Sequence, residues 1–329
     1  MEMRPLGVNG PFVSAIGLGC MGMSDYYGFA DEAESIRTIH RAIDQGITLL
    51  DTGDFYGMGD NEMLIARAIQ GHRDKLFIQV KFGALRTPDR KWSGFDARPA
   101  AVKNFLAYSL KRLGTDYVDL YQPARVDATV PIEDTVGAIA DMVKAGYVRH
   151  IGLSEAGAAT IRKANAVHPI AGLQIEYSLF SRSIEKSILP ATRELGIGIT
   201  AYGVLSRGLL SGKWTAESSR SGDFRSFSPR FSGENSTRNL RLVEVLRNFA
   251  AERNATPGQM AIAWVLAQGR DIIPLIGSRT VWQLEESLKA LEISLDPGEF
   301  DLLARAVPAE EVAGGRYPEE HLRHLDSER

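Results

Sequence analysis

A single (β/α)8 barrel, the TIM-barrel architecture of the α/β class, is the fold that the sequence predicts. Short apolar runs alternate about eight times with segments of helical spacing, and short apolar strands of this kind are covered on both faces. Several helical segments end at a glycine, and no linker or break in composition divides the chain. We therefore expect residues 1–329 to form one domain, with a β-hairpin before the first barrel strand and extra helices after the last.

The first predicted elements are the hairpin and one barrel strand. Asn9-Gly10 favours a tight turn between two short β-like pieces, and the apolar run 15–18 is the first barrel strand. The remaining strands are predicted from similar apolar runs at 47–51, 76–81, 117–121, 148–153, 171–175, 197–202 and 271–276. The hairpin is expected to cover the floor of the barrel.

The helices are predicted from apolar residues at helical spacing and from the residues that begin or end a helix. Pro99 begins one helix and Gly114 ends it, while Thr256 and Pro257 favour the start of another. The predicted helices are 33–45, 61–69, 99–113, 132–145, 158–166, 184–195, 240–253, 257–267, 281–290 and 297–306. A long polar loop at about 206–237 is expected to be functional or mobile, and the tail at about 308–329 is charged and irregular.

An open, doubly wound sheet is the alternative architecture. Its usual dinucleotide site requires GxGxxG directly after the first strand and at the start of a helix. Gly17, Gly19 and Gly22 do not have that spacing, which favours the closed barrel.

The composition argues against several classes of protein. The chain has 329 residues, of which 44% are hydrophobic and 24% charged, and a formal net charge of −3 gives no support for nucleic-acid or membrane-surface binding. The single cysteine, Cys20, excludes a disulfide framework and is expected to be a small buried residue. Because neither a signal peptide nor a transmembrane run is evident, a cytoplasmic protein is expected. No metal site is predicted, and a homo-oligomer stays an open alternative.

Chemically useful side chains gather at the predicted carboxyl ends of the strands, where barrel proteins carry their chemistry. Asp51 ends the second barrel strand, Tyr56 follows five positions later, and Lys81 ends the third strand. A phenol beside an ammonium group suits proton delivery to the oxyanion that forms when a carbonyl accepts hydride. Lys81 is expected to lower the pKa of Tyr56, and Asp51 to keep Lys81 charged. The alternative is structural: a capping Asp51, its salt-bridge partner Lys81 and a packing Tyr56.

Several motifs, in order along the chain, resemble the aldo-keto reductase superfamily. They are Asp51-Thr52 with Tyr56-Gly57, Asn61-Glu62, Lys81-Phe82-Gly83, Arg149-His150-Ile151-Gly152-Leu153-Ser154, Gln174-Ile175-Glu176-Tyr177-Ser178 and Ala201-Tyr202. The resemblance covers nearly the whole chain and is greatest to the microbial and plant branch whose members reduce aldehydes. It implies a (β/α)8 barrel that binds NADPH without a Rossmann motif. It also implies that Asp51, Tyr56 and Lys81 are three members of a catalytic tetrad.

The fourth member of that tetrad is usually a histidine just after the fourth strand. In the matching segment, Leu120-Tyr121-Gln122-Pro123-Ala124-Arg125, alanine occupies the histidine's position. Ala124 can neither orient a carbonyl nor share a proton. We therefore expect more room beside Tyr56 and a proton step that depends more on Tyr56 and Lys81. None of the six histidines is a clear substitute.

The resemblance also implies a cofactor site along the later strands. The implied cofactor-binding residues are Ser154, Glu155, Gln174, Tyr202, Gly203, Leu205, Arg207, Gly277, Ser278, Arg279, Gln283 and Glu286. The first three are placed at the nicotinamide carboxamide, Tyr202 on the nicotinamide ring, the next three along the pyrophosphate, and the last five at the adenosine 2′-phosphate and the adenine. Asparagine is common in the family at position 155 and a second arginine at position 283. The preference for NADPH over NADH is therefore expected to depend on one charged residue, Arg279, rather than on two.

The expected function is reduction of a small-molecule aldehyde or ketone by NADPH, with Tyr56 as the proton donor. The reverse reaction, as an NADP-dependent alcohol dehydrogenase, would use the same site. A cofactor-binding regulatory or sensor subunit with little turnover is the alternative class, which the missing histidine supports and the retained Asp51, Tyr56 and Lys81 oppose. Flat heteroaromatic aldehydes such as pyridoxal, sugars and plain aldehydes all stay open as substrates.

Three other segments are expected near the mouth. Trp92 and Phe95 either wall the substrate pocket or pack within their own loop. The tail segment Arg316-Tyr317-Pro318 is expected to approach the mouth. The long loop is expected to close over the cofactor through its arginines, which are Arg225, Arg230 and Arg238.

Overall fold

Eight parallel strands close into a barrel in chain order. The computed structural model describes residues 1–24, 26–215 and 223–329, with the backbone alone described at Phe224. The strands in these ranges are β1 (Met3–Pro5), β2 (Phe12–Ser14), β3 (Gly17–Gly19), β4 (Leu49–Gly53), β5 (Phe77–Phe82), β6 (Ala84–Arg86), β7 (Trp92–Phe95), β8 (Val118–Pro123), β9 (Val148–Ser154), β10 (Ile170–Glu176), β11 (Gly198–Tyr202) and β12 (Ile272–Gly277). The barrel consists of β3 to β5 and β8 to β12, which confirms the predicted (β/α)8 architecture.

Helices follow the barrel strands along the chain. They are α1 (Glu32–Asp44), α2 (Asp60–Ala68), α3 (Pro99–Leu113), α4 (Ile132–Lys144), α5 (Ala158–Val167), α6 (Ile188–Leu195), α7 (Gly233–Ala251), α8 (Pro257–Ala267), α9 (Val281–Leu288), α10 (Pro297–Ala306) and α11 (Glu319–Leu322). Gly114 ends α3 with a φ of 63°, the left-handed conformation that glycine adopts without strain. Thr256 and Gln259 form a capping box at the start of α8. The predicted beginning of α8 and end of α3 are therefore confirmed.

The N-terminal hairpin closes the floor of the barrel. β1 and β2 pair antiparallel, and Leu6 between them packs with Leu49, Phe77 and Leu120 in a buried cluster at the amino-terminal half of the strands. The Val8 N–H donates to the carbonyl oxygen of Gly196, just before β11. The floor is thereby filled, and the carboxyl ends of the strands form the mouth.

Tight packing inside the barrel explains the residue types near β3. A Cβ atom on Gly17 would lie within 2.7 Å of side-chain atoms of Leu275 and Leu49, so only glycine fits there without a shift. Cys20, just after this strand, is fully buried as expected, and burial raises the pKa of its thiol.

The polar stretch after β11 differs most from the prediction. Helix α7 begins at Gly233 rather than at residue 240, because the first turns are polar and carry no apolar stripe. Asn239 instead fixes this end of the helix by donating to the carbonyl oxygens of Arg230 and Ala313 at 3.0 and 2.8 Å. Residues 216–222 of the predicted loop lie outside the described residues.

Candidate active site

Asp51 and Lys81 form a buried ion pair at the carboxyl ends of adjacent strands. Asp51 lies on β4 and Lys81 on β5, in a register that pairs Gly53 with Lys81. Lys81 Nζ donates to Asp51 Oδ1 at 2.7 Å and to the carbonyl oxygen of Thr52 at 2.9 Å. The side chains of Lys81 and Asp51 are only 5% and 6% exposed. Two of the three predicted catalytic side chains are therefore in direct contact.

Glutamine side chains orient the Asp51 carboxylate. Gln79 Nε2 and Gln174 Nε2 donate to Asp51 Oδ1 at 3.1 and 2.9 Å. Gln174 Oε1 in turn accepts from Gln122 Nε2 at 3.0 Å. The side chain of Gln174, predicted to hold the nicotinamide, thus also supports Asp51. Gln79 and Gln122 are not among the predicted site residues. The available signal was a glutamine inside an apolar run, at Gln79, and one directly after an apolar run, at Gln122.

Tyr56 lies beside Lys81 in the turn that follows β4. Lys81 Nζ is 5.0 Å from the centroid of the Tyr56 ring, and the tyrosine is buried. The turn continues through three left-handed residues, Gly57, Met58 and Gly59, with φ of 57°, 57° and 105°. A positive φ is strained at Met58, which has a side chain. The structure therefore brings the third predicted catalytic residue to the ion pair through a strained turn.

Asn61 anchors this turn to the barrel. Its Oδ1 accepts from Thr52 Oγ1 at 2.7 Å, and its Nδ2 donates to the carbonyl oxygen of Cys20 at 2.9 Å and to Ser24 Oγ at 2.8 Å. Asn61 is fully buried, so it joins the loop after β3 to the end of β4. The Asn61-Glu62 motif is accordingly a positioning element for Tyr56.

The direction of the Tyr56 pKa shift corrects the prediction. Burial first, and the Asp51 carboxylate second, raise the pKa of Tyr56 well above its usual value, and the Arg125 charge opposes them only in part. Burial also lowers the pKa of Lys81, against the effect of Asp51. The predicted lowering of the Tyr56 pKa is wrong for this structure, because desolvation of a phenolate outweighs the nearby cations. Tyr56 is therefore protonated at neutral pH, the form that can donate a proton.

Aromatic rings surround the phenol of Tyr56. Phe55 meets Tyr56 edge-on at a centroid distance of 4.8 Å, and Tyr26 does so at 6.3 Å. Trp92, on the hairpin β6–β7, stacks on Tyr26 at 6.2 Å and lies 5.6 Å from Phe55. Ala124 packs in the same buried cluster as Phe55 and Tyr56. The mouth beside Tyr56 is thus lined by flat aromatic rings and is apolar. Trp92 reaches it from the hairpin β6–β7, which the apolar runs of the sequence do not predict.

Histidine 150 does not reach this mouth. It pairs with Leu120 in the first half of β9, and its ring lies 6.1 Å from that of Phe77, the first residue of β5. His150 therefore lies toward the floor of the barrel and does not replace the missing histidine.

Glu155, just after β9, is held by the C-terminal tail. Arg316 donates to both of its carboxylate oxygens, at 2.8 and 2.5 Å, and the two side chains are 8% and 0% exposed. Tyr202 and Ser327 add hydrogen bonds from their hydroxyl groups at 2.7 and 2.5 Å. Burial alone would raise the pKa of Glu155, but the charge and hydrogen bond of Arg316, the charge of Arg125 and the Ser327 bond hold it well below its usual range. The carboxylate predicted to meet the nicotinamide is therefore also a binding point for the tail.

A second contact of the tail lies at the end of β11. The hydroxyl groups of Tyr202 and Tyr317 are 3.1 Å apart, and the Arg207 guanidinium lies 4.9 Å from the Tyr317 ring centroid. Arg207 also lies 3.6 Å from Glu176. The predicted approach of Arg316 and Tyr317 to the mouth agrees with these contacts. Their burial could not be read from the charged composition of the tail.

The turn after β11 has an unusual backbone. Gly203, Ser206 and Arg207 have φ of 66°, 45° and 57°, and a Cβ on Gly203 would lie 3.0 Å from the side chain of Glu176. Leu205 is half-buried in the same turn. A positive φ is strained at residues with side chains, such as Ser206 and Arg207, and backbone strain of this kind is concentrated at functional sites.

Arg230, predicted to close over the cofactor, is buried instead. Its Nη2 donates to the carbonyl oxygen of Phe180 at 2.8 Å, and its Nη1 lies 3.4 Å from Glu176. Arg225 pairs with Asp223. Arg230 Nη1 also donates to Ser206 Oγ at 3.3 Å, so Arg230 supports the turn after β11 rather than forming part of a lid.

The last strand leads into the start of α9. Gly277 ends β12 and is exposed, whereas Ser278 is buried. Arg279 donates to the carbonyl oxygen of Tyr27 at 2.8 Å, and its own N–H donates to Gln283 Oε1 at 2.9 Å. Glu286 accepts from Thr256 Oγ1 at 2.6 Å. The five predicted adenosine-side residues thus lie together at the end of β12 and the first turns of α9.

Two serines provide a test of whether a nicotinamide dinucleotide fits. Ser154, at the end of β9, and Ser278, after β12, are buried, and their hydroxyl oxygens have no hydrogen-bond partner among the described residues. A buried hydroxyl without a partner costs about 1–3 kcal/mol. A nicotinamide dinucleotide carries hydrogen-bonding groups at both its nicotinamide and its adenosine end, which would satisfy two such hydroxyls. The residues present therefore fit such a cofactor.

Asp54, between Asp51 and Tyr56, is expected to make the stability of the fold depend on pH. Burial first, and the Glu62 charge second, raise the pKa of Asp54 to about 8. An unfolded chain loses this proton near pH 4, so the folded state loses stability as pH rises from about 4 to about 8. At about 1.4 kcal/mol for each pH unit, this window corresponds to about 6 kcal/mol. We expect Asp54→Asn to remove most of that decline in urea unfolding measured from pH 5 to 8.

The matched control for Asp54 is Asp301→Asn, an exposed aspartate on α10. This variant should follow the pH dependence of the natural chain. A parallel decline in stability for Asp54→Asn and the natural chain would show that Asp54 is ionised in the folded state.

Within the described part of the chain, no helix is long and apolar enough to cross a membrane. The same residues contain no group of three or more histidine, cysteine, aspartate or glutamate side chains that could hold a metal ion.

Comparisons with known proteins show which family the chain resembles. The profile of the aldo/keto reductase family matches residues 15–307. The chain is 42% identical over 316 residues to the probable aldo-keto reductase 1 of Glycine max, covering 95% of this chain and 90% of that protein.

Solved structures give the same result. A glycerol dehydrogenase from Gluconobacter oxydans superposes with a TM-score of 0.84 at 28% identity, covering 98% of this chain and 96% of that one. A thermostable aldo-keto reductase crystallised with the inhibitor epalrestat superposes with a TM-score of 0.75 at 29% identity, covering 93% and 100%. With a barrel whose mouth carries Asp51, Tyr56 and Lys81, the chain belongs to the aldo-keto reductase family of oxidoreductases, whose members use nicotinamide cofactors.

Proposed function

We propose that the protein reduces an aldehyde or ketone to an alcohol with NADPH, and that Tyr56 donates the proton. The Lys81–Asp51 pair, buried next to the Tyr56 ring, is the observation that carries the proposal. Bound NADPH would supply hydride to the carbonyl carbon. The chain supplies the proton, the binding site and the exclusion of water.

Tyr56 delivers its phenolic proton to the carbonyl oxygen as negative charge develops there. The raised pKa of Tyr56 keeps that proton in place until the transfer. The Lys81 cation beside the ring offsets the charge of the phenolate left behind. Asp51 holds Lys81 in position through their 2.7 Å bond.

The function is tested by following NADPH absorbance at 340 nm with a panel of aromatic, sugar and aliphatic carbonyl compounds. We expect oxidation with at least one aldehyde or ketone and the reverse reaction with the corresponding alcohol and NADP+. A purified protein that binds NADPH but oxidises it with no member of the panel, even in a single turnover, would contradict the reductase proposal.

That negative result would favour a second function, a cofactor-binding regulatory subunit. The specific observation that favours it is that Arg316 and Ser327 donate hydrogen bonds to Glu155, so this carboxylate is already bound by the tail. Calorimetric binding of NADPH with no turnover would be its positive evidence.

The cofactor preference depends on Arg279, because a guanidinium binds a 2′-phosphate that NADH lacks. We expect Arg279→Ala to raise KM for NADPH by at least about tenfold, the equivalent of one hydrogen bond to a charged group, with a much smaller change for NADH. Arg241→Ala, at an exposed position on α7, is the matched control. An unchanged ratio of the two KM values in Arg279→Ala would exclude this role.

A further inference from the structure

Resting on the proposed reductase function, we propose that Arg125 binds an anionic group of the carbonyl substrate, either a carboxylate or a phosphate. Substrates with such a group on a flat ring would place the ring against the aromatic walls and the anion on Arg125. This assigns a substrate class to the mouth, beyond the reduction of carbonyl compounds in general.

Arg125 lies on the substrate side of the mouth. It follows directly after Ala124, which comes after β8 and packs with Phe55 and Tyr56. Its charge acts on both Tyr56 and Lys81. The predicted cofactor residues lie on β9 to β12 and in the segments after them, and Tyr317 links Arg125 to one of them, Tyr202. The guanidinium is therefore beside the proton donor, in the region where a substrate must enter.

Among the described residues, no carboxylate is in direct contact with Arg125, although Glu155 acts on its charge from farther away. Nη1 donates to the carbonyl oxygen of Ala124 at 2.6 Å, and Nη2 donates to the hydroxyl of Tyr317 at 3.4 Å. In the described ranges 1–24, 26–215 and 223–329, no aspartate or glutamate oxygen lies within 4.0 Å of its nitrogens. A guanidinium has five N–H donors, so donors stay available for a ligand.

Other arginines at the mouth differ from Arg125 in this respect. Arg316 pairs with Glu155 at 2.5 Å, Arg207 with Glu176 at 3.6 Å, and Arg230 with Glu176 at 3.4 Å. Their charges are offset within the protein. Burial disfavours the charge of Arg125, and Tyr317, Tyr202 and Glu155 raise its pKa without direct contact from a carboxylate of the described residues. A bound carboxylate or phosphate would give the guanidinium a direct anionic partner, with the bidentate geometry that arginine favours.

The walls around Tyr56 fit the remainder of such a substrate. Phe55, Tyr26 and Trp92 present ring faces or edges within 4.8–6.3 Å of one another and of Tyr56. A planar ring stacks on such surfaces, and Ala124, directly before Arg125, packs in the same cluster as Tyr56. A flat aldehyde with an anionic substituent matches both features.

The test compares acid and neutral partners of the same aldehyde in the natural chain and in Arg125→Gln. The carboxylate pair is 4-formylbenzoate and its methyl ester, and the phosphate pair is pyridoxal 5′-phosphate and pyridoxal. We expect the natural chain to prefer the anionic member of at least one pair by tenfold or more in kcat/KM. Arg125→Gln should reduce that anion-to-neutral ratio at least about tenfold, mainly through KM. The pair that responds identifies the anion.

Two variants make the result specific. Arg125→Lys keeps the charge and should retain part of the preference, and Arg98→Gln, an exposed arginine before α3, should retain all of it. An equal fall in kcat for both members of a pair would mean that Arg125 acts on the carbonyl, and a raised KM for NADPH would mean that it binds cofactor. Each of these outcomes, or an unchanged ratio, would overturn the proposal.

A binding measurement separates this proposal from the reductase function. Calorimetry with 4-(hydroxymethyl)benzoate in the presence of NADP+ should show binding to the natural chain and at least tenfold weaker binding to Arg125→Gln. If no carbonyl is turned over but this difference holds, the reductase proposal fails and the anion site stands. If turnover is found but binding does not depend on Arg125, the anion site fails alone.

Discussion

Tyr56→Phe should reduce kcat by about 10²–10⁴-fold, the usual contribution of a general acid. The substitution removes one hydroxyl group and keeps the ring that packs against Phe55 at 4.8 Å. Binding of NADPH should therefore change little, so the loss is expected in kcat and not in the cofactor KM. Steady-state rates at saturating NADPH, with the best substrate of the carbonyl panel, measure this effect.

The matched control for Tyr56 is Tyr108→Phe, on the exposed side of α3. It makes the same chemical change far from the mouth and should leave kcat within about twofold, as expected of a surface substitution. If Tyr56→Phe kept more than half of the natural kcat, another group would have to supply the proton.

Arg316→Met should lower the free energy of unfolding by about 3–5 kcal/mol, because it leaves the Glu155 carboxylate buried without its cation. Glu155 is fully buried and Arg316 is 8% exposed, so solvent cannot replace the lost partner. The double variant Glu155→Gln with Arg316→Met removes both charges and should recover much of the loss. Urea unfolding at pH 7 compares the variants.

Arg162→Met is the control for this ion pair. Arg162 also binds a glutamate, Glu194, but the two side chains are 46% and 62% exposed, so the expected loss is below about 1 kcal/mol. Equal losses for Arg316→Met and Arg162→Met, or no recovery in the double variant, would show that the Glu155 contact contributes little to stability.

The barrel was predictable because its signals are local. Apolar runs, glycines such as Gly114 and the Thr256 cap each act within a few residues of chain. The positions of Asp51 and Lys81 followed from the same signals, since the carboxyl ends of neighbouring parallel strands meet. Local patterns of this kind were sufficient to predict the architecture and to place two of the three candidate catalytic residues.

Long-range contacts account for what the sequence did not predict. Glu155 and Arg316 are 161 residues apart, and no local pattern indicates that a charged tail will be buried against a strand end. The Tyr56 pKa was assigned the wrong direction because the extent of burial depends on the packed aromatic rings, which spacing does not reveal. Asn239 fixes the start of α7 through contacts with residues 230 and 313, which also lie outside any helical window.

The ion pair between Glu155 and Arg316 has a consequence for the order in which the protein forms during synthesis. Arg316 and Ser327 leave the ribosome after all eight barrel strands have been made. Until then Glu155 would have to enter the closed barrel as an uncompensated charge, which is strongly unfavourable. The nascent barrel is therefore expected to keep the end of β9 open and hydrated, and this side of the mouth is expected to form late in translation.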